Sequence, residues 1–169
     1  MLLLYQSQGN AAEWELRILP LGPVAPGAKR ESRVFLRTQH NNVGGRFSPN
    51  GRWVAYLSDE SGRYEVYVRP FPGPGGTTQI SSGGGDFQRW RRDGRELFYL
   101  ATGGQLMAAE IAERNGELVP GRVMKLFNVA SLAYDVTADG QKFIVVENPG
   151  ATEQKPLTLV QNWPALLRK

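Results

Sequence analysis

Cysteine is absent from the 169 residues. No disulfide, zinc–thiolate site or thiol nucleophile can therefore form. Histidine occurs once, as His40. A Ser-His-Asp triad would have to use it as the base, and no metal site built from several histidines is possible. His40 falls in "RTQHNNVGG", residues 37–45, a polar loop in which an exposed histidine is the expectation. No apolar run approaches the roughly 18 residues of a membrane-spanning helix. Leu2-Leu3-Leu4-Tyr5 is too short for the core of a signal peptide and has no basic leader. Charge of one sign is also scarce. The net charge is +4, with 20 basic residues against 16 acidic ones. That is too mild to imply nucleic acid.

Phosphate-loop signatures are missing too. "GPGGTT" and "SSGGGDF" contain neither Gly-Lys-Ser/Thr nor a completed Gly-x-Gly-x-x-Gly, and they read as turns between strands. Asp59, Glu60, Asp86, Asp93 and Asp139 stand in turn or strand-edge segments, and none forms a recognisable catalytic pair. No catalytic residue, cofactor or metal site is expected. One dense basic-aromatic patch remains, "FQRWRRDGR", residues 87–95. Its arginines could contact phosphate and Trp90 could stack on a base. The alternative reading places Trp90 in the core and the arginines on a solvated or interface surface, and that reading is preferred.

What is plentiful is glycine (20) and proline (11), together with 41% hydrophobic residues. Many turns and short strands follow. The turns repeat. Gly51, Gly94 and Gly140 are preceded by Ser-Pro-Asn, Arg-Arg-Asp and Thr-Ala-Asp, at spacings of 43 and 46 residues. Phe47, Trp90 and Val136 precede these turns. Pro49 fixes φ, Asn50, Asp93 and Asp139 suit the third turn position, and Gly51, Gly94 and Gly140 accept positive φ. Such a turn joins two antiparallel strands.

After each turn comes an apolar run: "WVAYL", "ELFYL" and "KFIVV". The runs show no polar alternation, so each strand is expected to be buried on both faces. Alternation returns in Trp14–Ile18 and in Glu65–Arg69, which read as outer, half-exposed strands. A unit of about four strands in 40–45 residues has the size of a propeller blade. The expected fold is all-β: a β-propeller segment of about three and a half four-stranded antiparallel blades. The blades fall roughly at 1–43, 44–86, 87–132 and 133–169. The first lacks its turn-bearing strand, which suggests a fragment of a larger propeller. The last would close on a strand at Leu157–Val160 and one helical turn near Pro164.

At these residues the sequence resembles the TolB-type, WD-like propeller repeat. More narrowly, "RPFPGPGG", "RWRRDGRELFYL" and "PLTLVQNWPALL" resemble the C-terminal blades of propellers attached to bacterial serine/threonine kinases. Asn50 departs from the repeat's usual Asp and Ala138 from its Pro. The kinase glycine loop, strand lysine and catalytic-loop aspartate have no counterpart here. The resemblance implies a non-catalytic module for protein or ligand interaction, such as the sensor part of a bacterial kinase-type protein, outside the cytoplasm. The competing implication is an accessory propeller gating substrate for a prolyl-oligopeptidase-like peptidase. Arg46, Arg89 and Asp135 each precede the apolar residue of a turn. They would lie on innermost strands, where propellers bind ligands, and they are the candidate binding residues. The expected partner is a protein or peptide. An open arc would also expose apolar blade faces, so association into a ring is expected, with a compact four-blade ring as the alternative.

Overall fold

Every turn in the repeat register has the same construction. The computed structural model describes residues 1–9, 13–129, 133–146 and 159–161. Within them Gly51, Gly94 and Gly140 adopt φ of 69°, 74° and 71°. Their N–H groups donate to the carbonyls of Ser48, Arg91 and Thr137 at 2.9, 2.9 and 2.8 Å. Asn50, Asp93 and Asp139 each accept, through Oδ1, the N–H two residues on at 3.0 Å. These bonds close a type I turn with a left-handed fourth residue, a position glycine fills without steric cost.

The described strands form four antiparallel sheets, each ordered as the chain runs. The first contains β1 (Leu2–Gln8), β2 (Trp14–Pro20) and β3 (Arg33–Leu36). The second contains β4 (Asn42–Phe47), β5 (Trp53–Ser58), β6 (Glu65–Pro70) and β7 (Thr78–Gln79). The third contains β8 (Asp86–Trp90), β9 (Glu96–Ala101), β10 (Gln105–Arg114) and β11 (Glu117–Asn128). The fourth contains β12 (Tyr134–Val136), β13 (Lys142–Val145) and β14 (Leu159–Gln161). Among the described residues there is no helix.

Adjacent sheets pack face to face, and the strand after each internal turn sits between two others. All six residues of β5 are buried. Val54 and Tyr56 pack with Leu16 and Leu36 of the first sheet. Trp53, Ala55 and Leu57 pack with Leu97 and Tyr99 of the third. β9 repeats the arrangement one sheet along, because Phe98 and Leu100 meet Tyr134, Phe143 and Val145 of the fourth sheet. The Phe98 and Phe143 rings meet edge to face, 5.0 Å apart, a favourable aromatic geometry. A strand clamped in this way cannot alternate apolar and polar residues, which is why these segments carry apolar runs.

The edges β4, β8 and β12 converge. β4 lies against both β1 and β8, and β8 against β12. Gly45 permits the approach of β4 to the first sheet. A Cβ there would sit 2.8 Å from a Leu4 methyl and 3.2 Å from Leu16.

Three expectations need correction. β6 is not half-exposed: Glu65 through Val68 are all buried, because β6 is a third strand covered on both faces and Glu65 finds partners inside. In β2, Glu15 is buried rather than solvent-facing, since Arg17 at 2.6 Å and Arg37 neutralise it. Trp14, which the alternation sets on one face with Leu16 and Ile18, is 39% exposed, whereas those two are fully buried. Finally, β13 is buried on one face only. Ile144 and Val146 are 56% and 58% exposed, because no described sheet covers the outer face of the fourth sheet. The final helical turn near Pro164 lies outside the described residues, as does the start of the strand expected at Leu157–Val160.

Candidate binding surface at the inner strand edges

Strands β4 and β8 share an irregularity. Both carry a bulge against their neighbours, between Val43 and Arg46 in one and between Asp86 and Arg89 in the other. Gly44 and Phe87 occupy the equivalent position with φ of 66° and 53°. For phenylalanine this conformation costs on the order of 1 kcal/mol or more. A bulge re-aims the side chains that follow it. Here those are Arg46 and Arg89, which pair across the sheet with Ala55 and Phe98. Asp135 of β12 holds the same register opposite Ile144. The three candidate binding residues therefore stand at one level on three neighbouring edges.

Two side chains tie these edges together. Gln88 Nε2 donates to the Gly44 carbonyl at 2.6 Å, and Trp90 Nε1 donates to the Arg46 carbonyl at 3.3 Å. Arg89 Nε lies 3.7 Å from Asp135 Oδ1. Asp135 is 76% exposed at its side chain, so this pair contributes no more than about 1 kcal/mol. Arg46 has no carboxylate partner among the described residues. Burial, and after it the like charge of Arg89, hold its guanidinium below the usual arginine range, with Asp135 opposing the shift. Just beneath, Tyr134 is 4% exposed and its hydroxyl has no partner among the described residues. Burial pushes that phenol far above the ordinary tyrosine range.

The other candidates disperse. In the basic-aromatic patch, Arg91 turns to Glu96 at 3.1 Å, and Trp90 is half-buried against the core between the second and third sheets. The His40 side chain is 46% exposed, and its Nδ1 lies 3.9 Å from Asp59 Oδ1. Asp59 already accepts the Asn41 N–H at 2.9 Å and Asn41 Nδ2 at 2.7 Å, and these bonds hold its carboxyl below the usual range. No hydroxyl bonds the His40 ring among the described residues. A surface depression of about 720 Å³ opens between the turn after β4 and strands of the third sheet, lined by Ser48, Asn50 and Trp53 on one side and by residues of β10 and β11 on the other. Its walls carry both signs of charge (Arg95, Arg114, Glu110 and Glu113), and Arg52 already spans to Glu113 at 2.5 Å.

Beside Glu15, a second buried acid was not foreseen. Glu65 is 3% exposed. It accepts the N–H groups of Gly83 and Gly84 at 2.8 and 2.7 Å, and also the Ser81 hydroxyl. Its role is structural: it fastens the crossing from the second sheet to the third. The glycines that serve it come 18 and 19 residues later, so local sequence carries no signal of the pairing.

Fold and geometry together define the class of protein: the chain has a β-propeller fold, its blades being antiparallel sheets of three or four described strands. Solved structures agree. TolB from Acinetobacter baumannii superposes with a TM-score of 0.62 at 18% identity, over 86% of this chain and 35% of that one. A nidogen/laminin complex gives 0.57 at 16% identity, over 85% and 51%. The periplasmic gluconolactonase of Pseudomonas aeruginosa gives 0.51 at 20% identity, over 85% and 45%. The chain thus spans between about a third and a half of the length of these structures. No protein-family model matches it, and no curated protein does.

Proposed function

We propose that this chain is a non-catalytic interaction module that binds a protein or peptide on its inner strand edges. The observation that carries the reading is the convergence of Arg46, Arg89 and Asp135 at one level of β4, β8 and β12. Two guanidiniums and one carboxylate, set on rigid strands and open to solvent, suit recognition of a charged chain. The one carboxylate of the set, Asp135, is 76% exposed and already lies beside Arg89, which suits recognition better than proton transfer. The resemblance of "RPFPGPGG", "RWRRDGRELFYL" and "PLTLVQNWPALL" to blades attached to bacterial kinases supports reading the module as the sensor part of such a protein. His40, the one side chain able to act as an imidazole base, belongs to a loop in which its aspartate neighbour is already engaged.

The test is a set of turnover assays on purified protein with a chromogenic ester, a lactone and a peptide amide. Rates equal to buffer are expected, for the native sequence and for His40→Ala alike. Hydrolysis that disappears in His40→Ala contradicts the reading.

A further inference from the structure

The innermost strands are also edge strands. β4, β8 and β12 each pair on one side only within their sheets. Some backbone groups of these strands are engaged. The Gly44 and Arg46 carbonyls accept from Gln88 and Trp90, the Gln88 carbonyl accepts from Arg89, and the N–H groups of Gly44, Phe87 and Val136 donate to Gln6, Asp86 and Asp135. The remaining groups on the free sides can serve an extended chain. At the level of Arg46 the charges do not balance. Arg89 has Asp135, and Arg46 has no partner among the described residues. One cationic charge is therefore left over, on a guanidinium that can fork onto a carboxylate through two parallel bonds.

We propose that this level binds an extended peptide bearing a carboxylate side chain, the carboxylate pairing with Arg46 and a peptide N–H donating to Asp135. The proposal rests on the inner edges being the interaction surface, and it adds the chemistry of the ligand. A carboxylate fits better than a phosphate because Asp135, 76% exposed, places a negative charge at the same level. A monoanion compensates the surplus cation, whereas a dianion meets repulsion. A nucleic acid fits poorly because the nearby rings are not free to stack. Trp90 is committed to the Arg46 carbonyl, and Phe87 packs against the core between the third and fourth sheets.

The test uses three fluorescein-labelled heptapeptides, Ser-Gly-X-Gly-X-Gly-Ser with X as Glu, Gln or Lys, titrated with the whole chain and read by anisotropy. The Glu peptide is expected to bind at least about tenfold more tightly than the Gln peptide, with the difference shrinking at high salt. Arg46→Gln removes that preference, and Arg46→Glu transfers it to the Lys peptide. Circular dichroism checks that both variants fold. Equal binding of the three peptides that is lost in Arg46→Glu overturns the acidic ligand but leaves the inner edges as the surface. Displacement of the Glu peptide by inorganic phosphate as readily as by acetate, a carboxylate monoanion, overturns the choice of carboxylate. No peptide binding, or binding indifferent to Arg46, overturns both the ligand and the surface.

Discussion

Phe98→Ala is expected to lower the unfolding free energy by about 3–5 kcal/mol, whereas Ile144→Ala changes it by less than about 0.5 kcal/mol. The two residues occupy one register position in neighbouring sheets. Phe98 pairs with Arg89 across its sheet, and Ile144 pairs with Asp135. Their sequence contexts are nearly interchangeable, since each lies in an apolar run after a glycine turn. Their surroundings differ: Phe98 is 0% exposed and meets the Phe143 ring at 5.0 Å, while Ile144 is 56% exposed. Deleting a benzyl group between two packed sheets removes buried area and leaves a cavity; deleting a half-solvated side chain does neither. Urea unfolding followed by tryptophan fluorescence measures both variants. Equal costs at the two positions would show that β9 is no more enclosed than β13.

Glu65→Ala is expected to cost about 3 kcal/mol or more, because it strands two glycine N–H groups and the Ser81 hydroxyl in the interior. Glu65→Gln, which keeps one carbonyl acceptor, costs less. The two variants separate through pH. Burial alone would raise the Glu65 carboxyl. The hydrogen bonds from Ser81, Gly83 and Gly84, aided by the charge of Arg63, outweigh burial and leave it below its ordinary value of 4.5. A depressed folded value means that the ionised form stabilises the fold above the ordinary glutamate range. That contribution disappears as pH falls through the folded value. The native protein should therefore lose stability steeply below about pH 4.5, and Glu65→Gln should lose less over the same interval. Glu15 and Asp59 are depressed as well, by Arg37 and by Asn41, so part of the acid sensitivity persists in the variant. Parallel stability–pH curves for Glu65→Gln and the native chain would remove Glu65 as a contributor.

These two sites mark how far the sequence could be read. Turn chemistry is local. Pro49, Asn50, Asp93, Asp139 and the three glycines specify their conformation within four residues, and each adopts it. Burial on two faces is also written locally, in runs such as Leu97–Leu100, but only where a neighbouring sheet exists. The run at Phe143–Val146 carries the same signal, and half of it faces solvent. β6 misleads in the opposite direction. Its flanking Glu65 and Arg69 suggest a solvated face, yet Glu65 is satisfied by groups far along the chain. At the candidate site, the register that aligns Arg46, Arg89 and Asp135 follows from the turns. The bulges that re-aim the arginines do not, since nothing about Phe87 announces a positive φ. Asn115-Gly116, between β10 and β11, does hold a hairpin signal, with φ of 53° and 81°, the pairing that suits a tight two-residue turn.

The chain contains no cysteine, which makes side-chain enclosure directly measurable by native-state thiol labelling of single Cys variants. The account predicts that cysteines at Leu97 and Phe98, on opposite faces of β9, are both protected until the protein unfolds, whereas on β13 a cysteine at Phe143 is protected and one at Ile144 reacts at once. Alternating reactivity along β9, with one of its two neighbours labelled as fast as Ile144, would contradict a strand held between two sheets.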